Sequence, residues 1–321
     1  MKHLMISAGG TATAWHIASV ARKEFAGRFK ISICDINEPH MVPASVIADN
    51  YYKVSPANDP GYKSEMLSLL ETQRVDLFIP LVDLEVCKLT TDLDGLDDIN
   101  VAVLGLSSAS SSFFENKSNL FRKLEKCGIP VPGILGSPDG IMEDANFVSK
   151  PVSGFGGRGV KMVQGRDAVK YVLDDDYLVQ ERCSEPEITV DVFNAGGNVR
   201  VLCRERLEIK SGVSTKARVF NSESLSKLAL DICRCMAMPV AFCFQAMKNN
   251  KNNWVVTDLN PRMGAGTALG AACGWSLAAA SLSWLSGFKD PLSYMGEISD
   301  EVYVARVYHE LVTKVGGCGL D

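Results

Sequence analysis

The sequence of 321 residues lacks a long hydrophobic run. No segment reaches the roughly 18 uninterrupted apolar residues that a membrane-spanning helix requires, so a soluble protein is predicted. Hydrophobic residues make up 46% of the chain and charged residues 22%, which is usual for a globular protein. A modestly apolar run follows Lys2, but Gly9 and Gly10 interrupt it. A strand that leads into a glycine turn explains this run better than a signal peptide does.

An excess of basic residues is missing as well. Lys and Arg total 33 against 38 Asp and Glu, which gives a net charge of −5. Such a chain has no diffuse basic field for nucleic acid or for an anionic membrane. We therefore expect neither nucleic acid nor membrane as a partner, and a bound anion would need a local site.

Cysteine motifs for metal binding are absent. The ten cysteines are scattered, with no CxxC pair and no nearby histidine for zinc. This distribution predicts reduced, mostly buried cysteines in a cytoplasmic protein. Cys233 and Cys235, the closest pair, lie two residues apart in a predicted helix, so their side chains should point to different faces.

The order of elements indicates more than one lobe. Residues 1 to 107 alternate short apolar strands with polar helical stretches, as a parallel βαβ sheet does. A serine-rich link from Ser108 then precedes an amphipathic helix that Gly128 ends. The later strands follow one another with few helices between them, which predicts an antiparallel sheet. Helices at 222–236 and 267–285 should pack against it, and a frayed glycine-rich tail should end the chain.

A glycine-rich stretch, SKPVSGFGGRGVKMV at residues 149–163, lies between two predicted strands. Glycines reach positive φ and let backbone N–H groups converge on phosphate oxygens, and Lys150 would add positive charge. The stretch matches neither a Walker A motif nor the dinucleotide fingerprint. Taken alone, it is equally consistent with a phosphate clamp and with a flexible surface turn.

Oxygen-bearing side chains cluster in a predicted hairpin around the polar turn at 249–253. Strand periodicity puts Asp258 and Asn260 on one face, and Gln245 falls opposite Asp258 to within about one residue. Three such donors suit Mg²⁺, which takes few protein ligands and fills its shell with phosphate and water. Arg262 would share that face. The alternative is a solvated hairpin end closed by an Asn-Pro turn.

Two acidic residues flank a bend in DYLVQERCSEPEITVDVF. Glu181 ends one predicted strand and Glu187 begins the next. An edge strand there could offer backbone groups to a base, while a nearby carboxylate accepts from ribose hydroxyls. Ordinary surface glutamates explain the pattern equally well.

The turn in MISAGGTATAWH fits a dinucleotide-binding loop poorly. The pattern G-x-G-x-x-G aligned on Gly9 would need glycine at Thr11. We expect instead a strand, a turn and a helix whose N-terminus faces a substrate cleft. Asp83 and Glu85 follow another predicted strand, at the end where α/β sheets bind ligands. They could receive a substrate ammonium, or they could cap a helix.

Together these pieces resemble the ATP-grasp superfamily, particularly the branch of carbamoyl phosphate synthase and related carboxylate-amine ligases. The matching residues are Lys117, Lys150 and Pro151 with SGFGGRG, Gln180 and Glu181 with Glu187, and Gln245 with Asp258-x-Asn260-Pro-Arg262. The resemblance covers nearly the whole chain. It implies an α/β and α+β fold with a Rossmann-like domain at 1–107, a small ATP-grasp lobe with the glycine loop at 108–176 and a large lobe with the metal site at 177–321.

The resemblance also implies roles for these residues. Lys117, Lys150 and the backbone of the loop, Ser153, Gly154, Gly156, Gly157 and Gly159, would bind the phosphates of ATP. Gln180 and Glu181 would lie at the adenine-binding hinge, and Glu187 would meet the ribose or an ion near it. Gln245, Asp258 and Asn260 would hold one or two Mg²⁺ ions, for which Mn²⁺ could substitute. Arg262, helped by Arg204, and Lys150 would be the catalytic residues that face the transferred phosphoryl group.

The implied enzyme is an ATP-dependent ligase that joins a small carboxylic acid or amino acid to an amine through an acyl phosphate. Positioning and charge neutralisation carry this chemistry, so no protein nucleophile is needed, and the four histidines should be structural or surface residues. Many relatives carry Glu at the position of Asp258 and an acid at that of Gln245, which leaves room for fewer metal contacts. The alternatives are carbamoyl-phosphate-type phosphoryl transfer without ligation and an inactive ATP-binding regulator. A homodimer is left open.

Overall fold

Three β-sheets organise the protein in a computed structural model that describes residues 1–90, 99–139, 141–154 and 159–313. A parallel sheet of five strands is followed by antiparallel sheets of three and six strands. The predicted α/β and α+β class is therefore confirmed. Among the residues described, no helix combines the length and apolar character needed to cross a membrane.

The parallel sheet has the strand order β3-β2-β1-β4-β5 and helices on both faces. Leu4 and Ile6 of β1 pack in one core cluster with helix α1, whereas Met5 packs in another cluster with helix α2. Successive strand residues point to opposite faces, which is why an uninterrupted apolar strand is covered on both sides. The strands are β1 Lys2–Ile6, β2 Phe29–Asp35, β3 Asn50–Lys53, β4 Leu77–Ile79 and β5 Ala102–Val103. The helices are α1 Ala12–Glu24, α2 Tyr62–Thr72 and α3 Asp83–Thr90, with 3-10 turns at Pro39–Met41 and Pro43–Ile47.

Two helices connect the parallel sheet to the rest of the chain. The serine-rich stretch predicted as a link is in fact helix α4, Ser108–Phe114. The predicted amphipathic helix is confirmed as α5, Lys117–Lys126, where Asn116 caps the first turn by accepting from the backbone N–H of Asn119. Gly128 follows with φ of +77°, the left-handed conformation that ends a helix.

The three-stranded sheet carries the glycine-rich stretch. Strands β6 Asn146–Pro151, β7 Lys161–Gln164 and β8 Tyr177–Glu181 lie in the order β7-β6-β8, with helix α6 Gly165–Val172 after β7. The predicted hairpin is confirmed, because β6 and β7 pair antiparallel with Phe147 opposite Val163. The predicted phosphate contacts of Gly156 and Gly157 lie outside the described residues.

The six-stranded sheet has the order β13-β12-β9-β10-β11-β14. Its strands are β9 Ser184–Ala195, β10 Asn198–Lys210, β11 Val213–Phe220, β12 Ala241–Lys248, β13 Trp254–Asn260 and β14 Val302–Ala305. Helices α7 Glu223–Cys235, α8 Thr267–Ala272 and α9 Leu277–Ser286 pack near it, and Pro291–Tyr294 forms a 3-10 turn. The single helix predicted at 267–285 is wrong, because Gly274 adopts a φ of +84° and breaks it in two. The glycine-rich tail predicted to fray, residues 315–321, lies outside the described residues.

One core joins the parallel sheet to the six-stranded sheet. Residues of α1 and α9 pack in the same hydrophobic cluster. Phe25 and Phe29 contact Phe288, with ring centroids 6.2 Å and 5.3 Å away respectively. This packing holds the parallel sheet against the large lobe, and Asp83 at the start of α3 pairs with Arg262 of that lobe.

A disulfide joins Cys127, at the end of α5, to Cys235, the last residue of α7. Their Cα atoms are 5.9 Å apart, which suits such a bond, although 108 residues separate them in sequence. The expectation that all cysteines are reduced is wrong for this pair, because sequence spacing cannot reveal a partner so distant. The cytoplasmic location inferred from reduced cysteines stays a prediction.

Candidate active site

A cavity of about 1090 Å³ lies between the three-stranded sheet, the six-stranded sheet and helix α3. One end, here called the hinge end, is lined by Gln180, Glu181 and the connection from β8 to β9. The opposite end, here called the arginine end, is lined by Asp83, Arg204, Arg262 and the loop 264–266. Lysines and oxygen donors lie between the two ends. The cavity thus collects residues from all three sheets or their helices.

Two lysines approach the middle of the cavity from the small sheet and helix α5. Lys150 Nζ donates to the carbonyl oxygen of Thr257 at 2.7 Å and lies 5.3 Å from the ring centroid of Phe121. Burial lowers the pKa of Lys150, although Asp258 acts in the opposite direction. Lys117 Nζ donates to the carbonyl oxygen of Gly154 at 2.6 Å. Both ammonium groups therefore lie beside the start of the glycine loop, where an anionic ligand would stabilise them.

The hinge end contains buried polar atoms without partners. Gln180 is only 1% exposed, yet neither its amide nitrogen nor its amide oxygen is hydrogen-bonded among the described residues. Ser149 Oγ, on the neighbouring strand, also lacks a partner among the described residues, but Ser149 does not line the cavity. An unsatisfied buried amide is rare in native proteins, and such a group points to a missing ligand or water. Glu181, as predicted, lines the same end of the cavity.

Glu187 lies on β9 beside the cavity, but its carboxylate already has a partner. Its Oε1 accepts from Arg206 Nη1 at 2.6 Å. Arg206 also donates to Ser214 Oγ and to the carbonyl oxygen of Gly212, which fixes the guanidinium in place. A ribose or ion at Glu187 would therefore meet a neutralised pair rather than a free carboxylate.

The three predicted oxygen donors meet on strands β12 and β13. Gln245 pairs directly with Asp258, which confirms the predicted register. The side-chain nitrogen of Asn260 donates to Gln245 Oε1 at 3.1 Å and to Asp258 Oδ2 at 3.2 Å. Asn260 would serve a cation only with its amide turned, so that oxygen rather than nitrogen faces the other two. The described residues contain no group of three or more His, Cys, Asp and Glu suited to a metal, and this set fits a hard cation that takes few protein ligands.

Arg262 connects the large lobe to the first domain. Its Nη2 donates to Asp83 Oδ2 at 3.0 Å and lies 3.3 Å from Asn260 Oδ1. Arg262 Nε and Asp83 Oδ1 are buried and have no partner within the described chain. The pair therefore keeps one free donor and one free acceptor next to the metal donors.

Arg204 is held by the protein and is only 1% exposed. Its Nε and Nη2 donate to the two carboxylate oxygens of Asp191 at 2.6 Å and 2.9 Å. A Cβ atom at Gly266 would lie 1.9 Å from Arg204 Nη1, so only glycine leaves room for this guanidinium. Sequence reasoning missed Asp191, although a charged residue inside the apolar strand ITVDVF signals a buried ion pair.

Two features predicted to contact substrate lie away from the cavity. Ser7 Oγ, Tyr62 Oη and the backbone N–H of Leu81 all donate to the carboxylate of Glu85, which is not among the residues that line the cavity. Asp83 and Glu85 both lie in the first turn of helix α3, as the alternative of a helix cap predicted, and of the two only Asp83 lines the cavity. The N-terminus of α1, predicted to face a substrate cleft, does not line the cavity either, and the N–H of Gly10 before it donates to Asp35.

Comparison with known families locates two domains. The family model described as "ATP-grasp domain" matches residues 114–266, and that described as "PylC-like, N-terminal domain" matches residues 4–104. The carbamoyl phosphate synthase large chain of Pyrococcus furiosus is 26% identical over 215 residues. That match spans 57% of this chain but only 20% of the length of the relative.

Comparison with solved structures shows the same fold. Carboxyaminoimidazole ribonucleotide synthase from Aspergillus clavatus, solved with ATP, superposes with a TM-score of 0.72 at 15% identity, over 94% of this chain and 81% of that one. The biotin carboxylase domain dimer of 2-oxoglutarate carboxylase from Hydrogenobacter thermophilus, solved with MgADP, ADP and bicarbonate, gives 0.69 at 14% identity, over 89% and 70%. The protein therefore carries an ATP-grasp domain that follows a PylC-like N-terminal domain.

Proposed function

We propose that the protein is an ATP-dependent ligase that joins a small carboxylic acid or amino acid to an amine through an acyl phosphate. The observation that supports this most is the convergence in one cavity of Lys117, Lys150, the oxygen donors of β12 and β13, and Arg262. Two cations, a site for a hard metal ion and a guanidinium are what phosphoryl transfer from a nucleoside triphosphate to a carboxylate requires.

The residues present fit ATP and Mg²⁺. At the hinge end, the unpartnered amide of Gln180 offers one donor and one acceptor to a base. In the middle of the cavity, burial lowers the pKa of Lys150 and thus disfavours its charged form. Phosphate oxygens bound beside it would have the opposite effect and stabilise the ammonium. Asp258 with the amide oxygens of Gln245 and Asn260 supplies the hard donors that Mg²⁺ prefers, and Mn²⁺ could replace it. Two relatives of the same fold were solved with ATP and with MgADP.

ATP would supply the phosphoryl group, and Mg²⁺ would shield the charge of the phosphates. Lys117, Lys150 and the backbone of the loop, with Ser153, Gly154 and Gly159 among its described residues, would bind and orient those phosphates. Arg262 would then hold the attacking carboxylate in line, while Asp83 fixes the orientation of the guanidinium. Each such charged partner contributes on the order of 10²- to 10³-fold to the rate. Proximity and charge neutralisation suffice, so no side chain needs to act as nucleophile.

A second candidate is phosphoryl transfer to a carboxylate without ligation. The match to the carbamoyl phosphate synthase large chain favours it, because that relative is named for its phosphorylated product. The two candidates share the first half-reaction. They differ only in whether an amine captures the activated acid within the same site.

The decisive experiment measures ADP release with MgATP against a panel of amino acids and other carboxylic acids, with and without amines. Turnover that requires both an acid and an amine supports the ligase, and turnover with acid alone supports the second candidate. Binding of MgADP by calorimetry without turnover for any pair would indicate an inactive ATP-binding regulator. Absence of MgADP binding would refute all three.

A homodimer also stays a prediction, and light scattering of the same sample would test it.

A further inference from the structure

Asp83, at the arginine end of the cavity, has acceptor positions that the protein does not fill. Its Oδ2 accepts from Arg262 Nη2 at 3.0 Å, whereas its Oδ1 is buried without a partner among the described residues. A carboxylate offers about four acceptor positions, so most of the capacity of Asp83 is unused. The side chain is 20% exposed and lines the cavity. A donor bound in the cavity can therefore contact this carboxylate.

Arg262, the partner of Asp83, lines the cavity as well and keeps a free donor. Its Nη1 donates to the carbonyl oxygen of Met263 at 3.1 Å, and its Nη2 donates to Asp83 and to Asn260 Oδ1. Its Nε is buried and has no partner in the described part of the chain. Because the guanidinium and the carboxylate are hydrogen-bonded to each other, one small molecule can contact both groups.

The charges at the arginine end decide which kind of molecule fits there. Arg204 is paired with Asp191 and Arg262 with Asp83, so both guanidinium groups are already balanced. A simple carboxylic acid held by Arg262 would place a second carboxylate beside Asp83 on the same guanidinium. Two carboxylates that share one cation repel each other. An amino acid also brings an ammonium, which would lie against Asp83 and restore the balance of charge.

We propose that Asp83 binds the ammonium group of an α-amino acid whose carboxylate is held by Arg262. The inference rests on the proposed function and narrows its acid substrate from carboxylic acids in general to α-amino acids. In an α-amino acid a single carbon atom joins the ammonium to the carboxylate, so its two charged groups are close together, as Asp83 and Arg262 are. Asp83 begins helix α3 of the first domain, and Arg262 follows strand β13 of the large lobe. The amino acid would therefore contact both domains.

The test measures by calorimetry the binding of α-amino acids of both configurations, each beside the carboxylic acid that lacks its amino group and the amine that lacks its carboxylate. The protein is first saturated with Mg²⁺ and an unhydrolysable ATP analogue, and binding of that analogue is recorded separately. At least one amino acid should bind, and its deaminated acid and its decarboxylated amine should each bind at least about tenfold more weakly, since each loses a hydrogen bond between charged groups.

Asp83→Asn changes the proposed ammonium contact and little else. It keeps one oxygen that can accept from Arg262, and it replaces the other with an NH2 group that cannot accept from an ammonium. The variant should bind the amino acid roughly 10- to 100-fold more weakly, the range for hydrogen bonds to charged groups. It should not weaken the deaminated acid, because Arg262 loses a competing carboxylate. Asp175→Asn, at an exposed aspartate before β8, is the matched control and should change neither affinity.

Equal weakening of the amino acid and of the deaminated acid by Asp83→Asn would overturn the inference, because Asp83 would then only support Arg262. An amine that binds as tightly as its amino acid would overturn it too, since the ammonium at Asp83 would then belong to a second substrate. The comparison of ligands in the wild-type protein needs no variant, so it carries the test if Asp83→Asn does not fold.

Two outcomes separate this inference from the proposed function. If no amino acid binds to a complex that holds the ATP analogue, the inference is wrong and the nucleotide site is intact. Failure of the analogue itself to bind would reject the proposed function and the inference together.

Discussion

The two ends of the cavity differ in whether their buried polar groups have partners within the protein. At the hinge end, the side-chain amide of Gln180 is buried without a partner among the described residues. At the arginine end, Arg204 and Arg262 are held by carboxylates of the same chain. One end is incomplete by itself, and the other is largely satisfied before any ligand arrives.

The two ends would therefore affect a ligand differently, one through binding affinity and the other through guanidinium groups that are already in position. An unpartnered buried polar group costs about 1 to 3 kcal/mol, and a ligand that supplies the missing partner recovers that free energy on binding. The ion pairs at the arginine end fix the positions of guanidinium groups in advance, so little reorganisation is needed when charge develops nearby. If the cavity binds ATP and a carboxylate as proposed, the hinge end would contribute affinity and the arginine end would contribute orientation.

The largest expected effect is at Lys150, which lies between the two ends. Lys150→Met keeps the length and the contact with Phe121 but removes the ammonium that phosphate oxygens would meet. Turnover should fall about 10²- to 10³-fold, measured as ADP release at saturating MgATP. Lys161→Met, on the adjacent strand β7 and exposed to solvent, is the matched control and should stay near the wild-type rate. Near-normal turnover of the Lys150 variant would show that this ammonium takes no part in the reaction.

The next effect concerns the pH dependence of stability that His16 of helix α1 contributes. Burial lowers the pKa of His16 to about 4 in the fold, whereas an unfolded histidine titrates near 6.5. Between these pH values the unfolded chain binds a proton that the folded chain does not bind. The contribution of His16 to the free energy of unfolding is therefore fully present above pH 6.5 and is lost as the pH drops towards 4. The loss reaches at most about 3 kcal/mol. Burial also lowers the pKa of His3, which adds to the slope in the same direction.

His16→Gln should flatten part of this slope, as measured by urea unfolding at several pH values from 4 to 8. His40→Gln, at an exposed histidine, is the control and should leave the curve unchanged. A His16 variant with the wild-type slope would mean that the imidazole has the same pKa in the folded and the unfolded chain.

The third effect tests the support of the arginine end. Gly266→Ala would place a methyl group where Arg204 Nη1 now lies, and the buried ion pair with Asp191 gives that guanidinium little freedom to move. We expect a loss of about 1 to 3 kcal/mol in the free energy of unfolding, the usual cost of overpacking a core. Gly136→Ala is the matched control, because no heavy atom lies within 4 Å of its added Cβ. An unchanged stability for Gly266→Ala would show that Arg204 readily adopts another position.

The same comparison explains which parts of the site could be predicted from the sequence. Local patterns sufficed for helix α2, for the hairpin that carries the oxygen donors and for the pairing of Gln245 with Asp258. The resemblance to a known superfamily indicated Gln180 and Glu181 at the hinge end, which are consecutive residues of one strand in the small sheet. The arginine end is built from contacts between residues far apart in sequence, such as Asp83 and Arg262.

Other elements were missed for similar physical reasons. Strands β3 and β11 and helix α6 depend on packing against the rest of the chain, so their local signals are weak. The turn before β11 did carry a signal, because Ser211 and Gly212 both adopt positive φ, as a tight hairpin requires.

The smallest expected effect is at the hinge end, where one substitution should raise the stability of the protein and lower its affinity for MgADP. Gln180→Met replaces a buried amide that has no partner with an apolar side chain of similar length. Without nucleotide, the variant should be more stable than the wild type by about 1 kcal/mol, because the cost of the unsatisfied amide is removed. Its affinity for MgADP should fall several-fold for the complementary reason, that the base loses a donor and an acceptor. Thermal unfolding without nucleotide and calorimetry with MgADP measure the two changes. Gln164→Met, at the exposed glutamine that ends β7, should alter neither. If Gln180→Met lowered both stability and affinity, the amide would have partners within the protein, and the contrast between the two ends would not hold.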